Sequence, residues 1–188
     1  MPFVLMYTLY QTVLDTGDPD KIETNGPIKC TSNDAWLGHG FYFWDWFIDL
    51  AHHWGKTHCG GRYVICRAFC DFLRDEIYDL INNPEHIQEF HDVAEDLIET
   101  YKDKDKLITV PFIFEYLKSI DAFSYKAIRA CGIGSFPNLS IRISFVPYHS
   151  AFIESLPAWQ VCILNKASIK KDSYRIVYPD EYTQDYVV

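Results

Sequence analysis

The chain has 188 residues, 48% of them hydrophobic and 16% aromatic, with 17 basic and 26 acidic side chains and a formal net charge of −9. That length suits one domain with a single sizeable core. The acidic balance repels phosphate backbones and disfavours broad electrostatic binding of nucleic acid or an anionic membrane. No run reaches the roughly 18 apolar residues of a membrane span, and the apolar N-terminus MPFVLMYTLYQTV lacks a basic n-region. The six cysteines form no CxxC pair, so reduced thiols and a cytoplasmic setting are expected.

In chain order, residues 3–13 are predicted as a buried strand. Residues 14–35, rich in Gly, Pro, Asp and Asn, are predicted as a long loop. A second strand is GFYF, after which Asp45 is expected to cap a helix whose apolar Phe47, Leu50, Ala51 and Trp54 fall at i, i+3, i+4 and i+7. Gly60-Gly61 ends that helix, and RYVICRAFC is the next strand. Asn83 is a cap followed by Pro84 at the first helical position, and Ile87, Phe90, Ala94, Leu97, Ile98 and Tyr101 share one face. A shorter helix is expected from Pro111, then strands around YKAIRA, IRISFV, WQVCIL and YRIVY. Strands grouped around one helical block, at about 74–120, predict a single α+β domain over 1–188 with a loose tail at about 180–188.

Two chemistries are weighed on residue type. HHWGKTHC, with Cys66 and Cys70 downstream, invites a metal, but His52 and His53 point about 100° apart on a helix, and no CxxC or HExxH spacing is present. A metal-dependent hydrolase is therefore a minor alternative, and no metal is expected. Neither a GxSxG elbow nor a P-loop occurs, and the GHG of 38–40 precedes a strand, the wrong context for a dinucleotide fold of the GxGxxG type.

The stretch LGHGFYFWDWFIDLAHHWG, 37–55, resembles the second block of ADP-ribosyltransferases of the diphtheria-toxin and poly(ADP-ribose) polymerase type. It offers Gly38-x-Gly40-Phe41-Tyr42-Phe43, then Ala51 nine residues after Tyr42 and Trp54 three beyond that. The first block of that family, a strand with an LYHG-like run, is matched by Leu9-Tyr10-Gln11-Thr12, with Gln11 in the histidine's place. The third, a late strand bearing the catalytic glutamate, is matched by AWQVCILNKASI, with Gln160 at the glutamate and Ile169 nine later. The three blocks follow in order along almost the whole chain, nearest to uncharacterised bacterial domains of the superfamily.

The resemblance implies a split β-sandwich of two small, mostly antiparallel sheets around an NAD cleft, with the helical block as an insertion. It implies NAD as substrate and transfer of a single ADP-ribose to a macromolecular acceptor, protein rather than nucleic acid, with no membrane partner. The first alternative is a catalytically silent domain of the same fold that binds NAD or ADP-ribose, or serves in protein interaction. Tyr42 would give one face of a nicotinamide slot and Trp54, or His53 one residue earlier, the other. Offset ring stacking adds about 0.5–1.5 kcal/mol beyond burial. Gly40 and Ala51 would let backbone and helix approach the ligand, while Tyr10, Gln11 and Thr12 would line the ribose side. Gln160 can hydrogen-bond a ribose hydroxyl but carries no charge. Glu154, six residues earlier, is the carboxylate able to substitute for it.

Overall fold

The longest strands form where apolar residues, about half of them β-branched or aromatic, dominate the sequence. They are β1 (Val4–Leu14) and β3 (Tyr63–Leu73), paired antiparallel from Val4↔Leu73 to Leu14↔Tyr63. The computed structural model describes residues 4–104, 106–120, 123–132, 136, 139, 141–147 and 150–183; residues 184–188 of the expected loose tail lie outside them. The other strands are β2 (Phe41–Asp45), β4 (Ile77–Asp79), β5 (Ala127–Ala130), β6 (Arg142–Ser144), β7 (Phe152–Glu154), β8 (Gln160–Ile163) and β9 (Arg175–Tyr178). With helices α1 (Pro19–Asn25), α2 (Ile48–His58), α3 (Pro84–Tyr101) and α4 (Val110–Ser119), the architecture is α+β.

Seven strands make one mixed sheet in the order β4-β5-β8-β2-β1-β3-β9, and β6 and β7 form a separate hairpin. Within the large sheet only β4 and β5 run parallel. Its two halves, β4-β5-β8-β2 and β1-β3-β9, meet at a short seam: β1 and β2 are in register only at Leu9↔Asp45 and Tyr10↔Trp44. The anticipated pair of small sheets is thus a single sheet with a weak middle, plus a hairpin.

One face of this sheet buries Leu9, Phe43, Val64, Cys66, Phe72 and Val161 under Ile22 of α1 and Tyr174. On the other face α3 and α4 bring Leu97, Ile113, Phe114 and Leu117 onto Tyr78, Ile128 and Cys162. Beside them α2 sets Leu50 and Ala51 against Trp44, Tyr63 and Ile65. No described helix is long and apolar enough to cross a membrane.

Three sequence expectations are corrected. The loop 14–35 contains α1, whose Asp18 side chain accepts from the Lys21 backbone N–H, with Pro19 opening the helix. That is the same cap-and-proline signal that starts α3 at Asn83-Pro84, overlooked in a segment crowded with turn residues. Asp45 does not cap α2; it ends β2, and Phe47 takes the cap position with no side-chain bond. The three-residue β4 falls inside the expected helical block, recognisable only through its pairing with β5.

Histidine enters this core at the start of α3. His86 Nδ1 accepts the Asp79 backbone N–H at 2.9 Å, its Nε2 meets the Tyr125 hydroxyl at 3.1 Å, and its ring stacks on Tyr78 at 4.6 Å. Burial holds its pKa below the usual 6.5, against opposing pulls from Glu89, Asp79 and Glu85. The folded state therefore favours the neutral ring, and a proton on Nδ1 would face a donor. His86 contributes stability above an unfolded pKa of about 6.5 and loses it as pH falls through the lower folded value. The urea midpoint should drop more steeply on acidification in the wild type than in His86→Gln; equal slopes would remove His86 from the account.

Candidate functional site

A cavity of about 1010 Å³ opens where β1 and β2 part, at the upper end of the roughly 300–1,000 Å³ of small-molecule sites. Beyond the seam β1 stays with β3 to Leu14. The free edge of β2 is instead met by Cys30, which exchanges backbone hydrogen bonds of 2.8 and 3.2 Å with Gly40. The wedge between the strands is bounded by α1, by the segment 28–36 and by Trp54 and His58 of α2. Its lining is mostly apolar and aromatic, with Lys21, Lys29, Asp18 and Asp34 as the charged members.

Six of the residues singled out from the sequence line this one cavity: Tyr10, Gln11, Thr12, Tyr42, Trp54 and Gln160. Cross-strand register explains why. Tyr10 stands opposite Trp44, Trp44 opposite Gln160 and Tyr42 opposite Cys162. Because facing residues share a side and side chains alternate along a strand, Tyr10, Thr12, Tyr42, Trp44 and Gln160 come to one face. Gln11 arrives from the other, through the gap.

Each of these side chains is held by the fold. The Tyr42 hydroxyl accepts from the Leu37 backbone N–H at 2.7 Å and donates to the Gly38 carbonyl at 2.9 Å, leaving its half-buried ring at the wall. Burial raises the Tyr42 pKa above its ordinary value, so the hydroxyl stays protonated. Thr12 donates to the Ala51 carbonyl at 2.8 Å, which ties α2 to β1. Trp54 stacks on His58 at 3.5 Å between ring centres and tilts against Trp44 at 6.1 Å.

Gln11 is the most heavily used. Its Oε1 accepts from the Ile28 backbone N–H and the Tyr174 hydroxyl, and its Nε2 donates to the Ile28 and Tyr42 carbonyls, all between 2.8 and 3.2 Å. The carboxamide stands in for a peptide group across the wedge. All four of its hydrogen-bonding positions are filled, so a bond to a ribose hydroxyl requires one of these to be given up.

Gln160 differs. Only 6% exposed, its Oε1 accepts from the Trp36 indole N–H at 2.7 Å, and its Nε2 has no partner among the described residues. Trp36 was not singled out from the sequence, because it falls between the expected loop 14–35 and the strand GFYF, where no motif includes it. A glycine two residues past β5 would have been the sole hint: a Cβ on Gly132 would collide with the Trp36 ring.

The remaining nominated residues stand apart. Gly40 is required by packing, since a Cβ there would collide with the Cys162 sulfur and sit 2.9 Å from the Ile163 carbonyl oxygen. Ala51, on α2, is fully buried against the sheet. His53 packs its ring on Phe136 at 4.2 Å. Glu154 lies on the hairpin, ion-paired with Arg142 at 3.0 Å, and does not line the cavity.

A second buried constellation was missed. Arg129 Nε donates to Asp45 at 2.7 Å and its Nη1 to Asp79 at 3.2 Å, with the guanidinium 4.9 Å from the Trp159 ring centre. Burial pushes the Asp45 carboxyl up while Arg129 pulls it down. This cluster fixes the turn from β2 into α2, where Trp46 adopts φ +68°. All six cysteines are free, and burial pushes the Cys66, Cys70 and Cys162 thiols up to about 12. Among the described residues no group of three or more His, Cys, Asp or Glu side chains is placed to hold a metal.

Comparison of the chain with protein-family models, with curated proteins and with solved structures finds no match in any of the three.

Proposed function

We propose that the chain binds NAD in the cavity at the β1–β2 seam, as a domain of the ADP-ribosyltransferase kind. The observation that carries this reading is convergence. Residues chosen by their order and spacing in three separate stretches of sequence, Tyr10 to Thr12, Tyr42 with Trp54, and Gln160, line one cavity of dinucleotide-holding size. The aromatic walls suit a flat nicotinamide ring. Lys21 and Lys29, with no ion-pair partner among the described residues, give an anionic diphosphate cations to approach. Gln11 then serves as the clamp that keeps the wedge open.

Binding without turnover is the favoured form of this reading. Transfer of an ADP-ribose to an acceptor proceeds through a cationic ribose and gains from a fixed negative charge beside it. Gln160 is neutral, and Glu154 is engaged with Arg142 away from the cavity. The transferase reading, with a protein acceptor, retains one supporting observation: Gln160 lies opposite Trp44 on the strand face that lines the cavity.

Titration calorimetry with NAD tests the proposal. Tyr42→Ala should weaken binding by about 1–3 kcal/mol, the range for removing an aromatic platform from a stacked base, while Tyr42→Phe keeps the ring and most of the affinity. Equal affinity in the alanine variant and the wild type would exclude Tyr42 as a stacking wall. Equal losses in both variants would assign the effect to the hydroxyl's hold on Leu37 and Gly38.

A further inference from the structure

We propose that Trp36 is a positioning residue that sets the hydrogen-bond polarity of the cavity at Gln160, so that a bound NAD meets a donor where its cleavage needs an acceptor. The proposal rests on the NAD reading above. An indole has one N–H and no acceptor, so the group 2.7 Å from Trp36 Nε1 has to be the carboxamide oxygen of Gln160. The amino group is thereby turned the other way, toward the cavity that Gln160 lines. Trp36 is held in place, because its partly buried ring packs against the core cluster under α3 and α4 and lies against Gly132.

The chemical consequence goes beyond a missing charge. Hydrolysis of NAD breaks the bond from ribose C1′ to the ring nitrogen, and the electron pair leaves on nicotinamide. A water oxygen bonds to C1′ and releases its proton to solvent. Positive charge develops on the ribose during this step. A carboxylate accepting the neighbouring hydroxyl's proton feeds density toward C1′. An N–H donating to that hydroxyl withdraws it and turns the positive end of a dipole toward the cation. With Trp36 in place, Gln160 holds the ribose and protects the glycosidic bond.

Three measurements test this on the whole chain. In the wild type without ligand, nitrogen-15 NMR should show the Trp36 indole proton protected from exchange, and Gln160→Ala should abolish the protection. Trp36→Phe keeps a ring but removes the N–H, allowing the carboxamide to turn its oxygen to the ligand. Nicotinamide release should then rise about fivefold or more, the order of one neutral hydrogen bond, while NAD affinity changes less than about threefold. Adding Trp36→Phe to Gln160→Glu should give no such rise, since both carboxylate oxygens accept and there is no polarity to set.

A rise in both backgrounds, or a fall in turnover that tracks lost binding, would overturn the proposal. Should Trp36→Phe fail to fold, the exchange arm decides alone: a wild-type indole proton exchanging as fast as one in an exposed tryptophan overturns it. Absence of NAD binding to the wild type would instead bring down the reading of the site, whatever the indole shows. NAD binding with an unprotected indole would bring down the Trp36 assignment only.

Discussion

Gln160→Glu is expected to raise NAD hydrolysis by about tenfold or more. A charged hydrogen bond exceeds a neutral one by roughly 1 kcal/mol in the ground state, and by more where positive charge develops. Glutamate has nearly the same shape as glutamine, and the Trp36 N–H that now reaches Gln160 Oε1 at 2.7 Å can donate equally to a carboxylate. One oxygen would be held by Trp36, leaving the second for the ribose hydroxyl. Release of free nicotinamide from NAD by purified protein measures the effect, with Gln160→Ala as the variant that loses the contact altogether. If neither variant departs from the wild type, β8 does not carry the position that decides turnover. A silent wild type alongside an active glutamate variant would support the binding domain over the enzyme.

The second large effect concerns stability. Arg129→Ala should cost about 3–5 kcal/mol, the range for removing one partner of a buried ion pair. Arg129 is 4% exposed and Asp45 and Asp79 are 5% and 7% exposed, so two carboxylates would be left in a poorly solvated place. Their pH dependence gives the mechanism a signature. Burial already raises the Asp45 pKa, and Arg129 is the first influence that lowers it; without the arginine the folded value climbs further. A carboxyl with a raised folded pKa is at no disadvantage below its unfolded value, and destabilises progressively as pH rises through the folded one. The deficit measured by urea denaturation should therefore shrink on acidification toward the ordinary carboxylate range. A loss under about 1 kcal/mol at neutral pH, below what a buried pair implies, would mean that water reaches the cluster.

Much of the site was legible because it depends on local rules. Gly38-x-Gly40 followed by Phe41-Tyr42-Phe43 marks a strand of close approach, and strand alternation brings Gln160 and Tyr42 to one side once β8 lies beside β2. What escaped was set by distant contacts. Asp45 has the residue type of a helix cap and the position to match, yet its partner is 84 residues on. Tertiary pairing of a buried charge outweighs a capping bond worth about 1 kcal/mol. Gln11 resembles a ligand contact until Ile28 and Tyr174 are seen to take up its oxygen. Trp36 gave no local signal, since its significance lies in a bond to a residue 124 positions later.

The seam between β1 and β2 has a mechanical consequence. A sheet resists shear through the ladder of rungs between its strands, and here the ladder is full on both sides of the middle but has two rungs at the join. The molecule is built like two stiff book covers on a short spine, with Gln11 as a stitch across the open pages. A dinucleotide lodged there would touch Tyr10 on one cover and Gln160 on the other. It would then act as a binding thread, so that part of what it contributes in affinity returns as cohesion of the sheet itself.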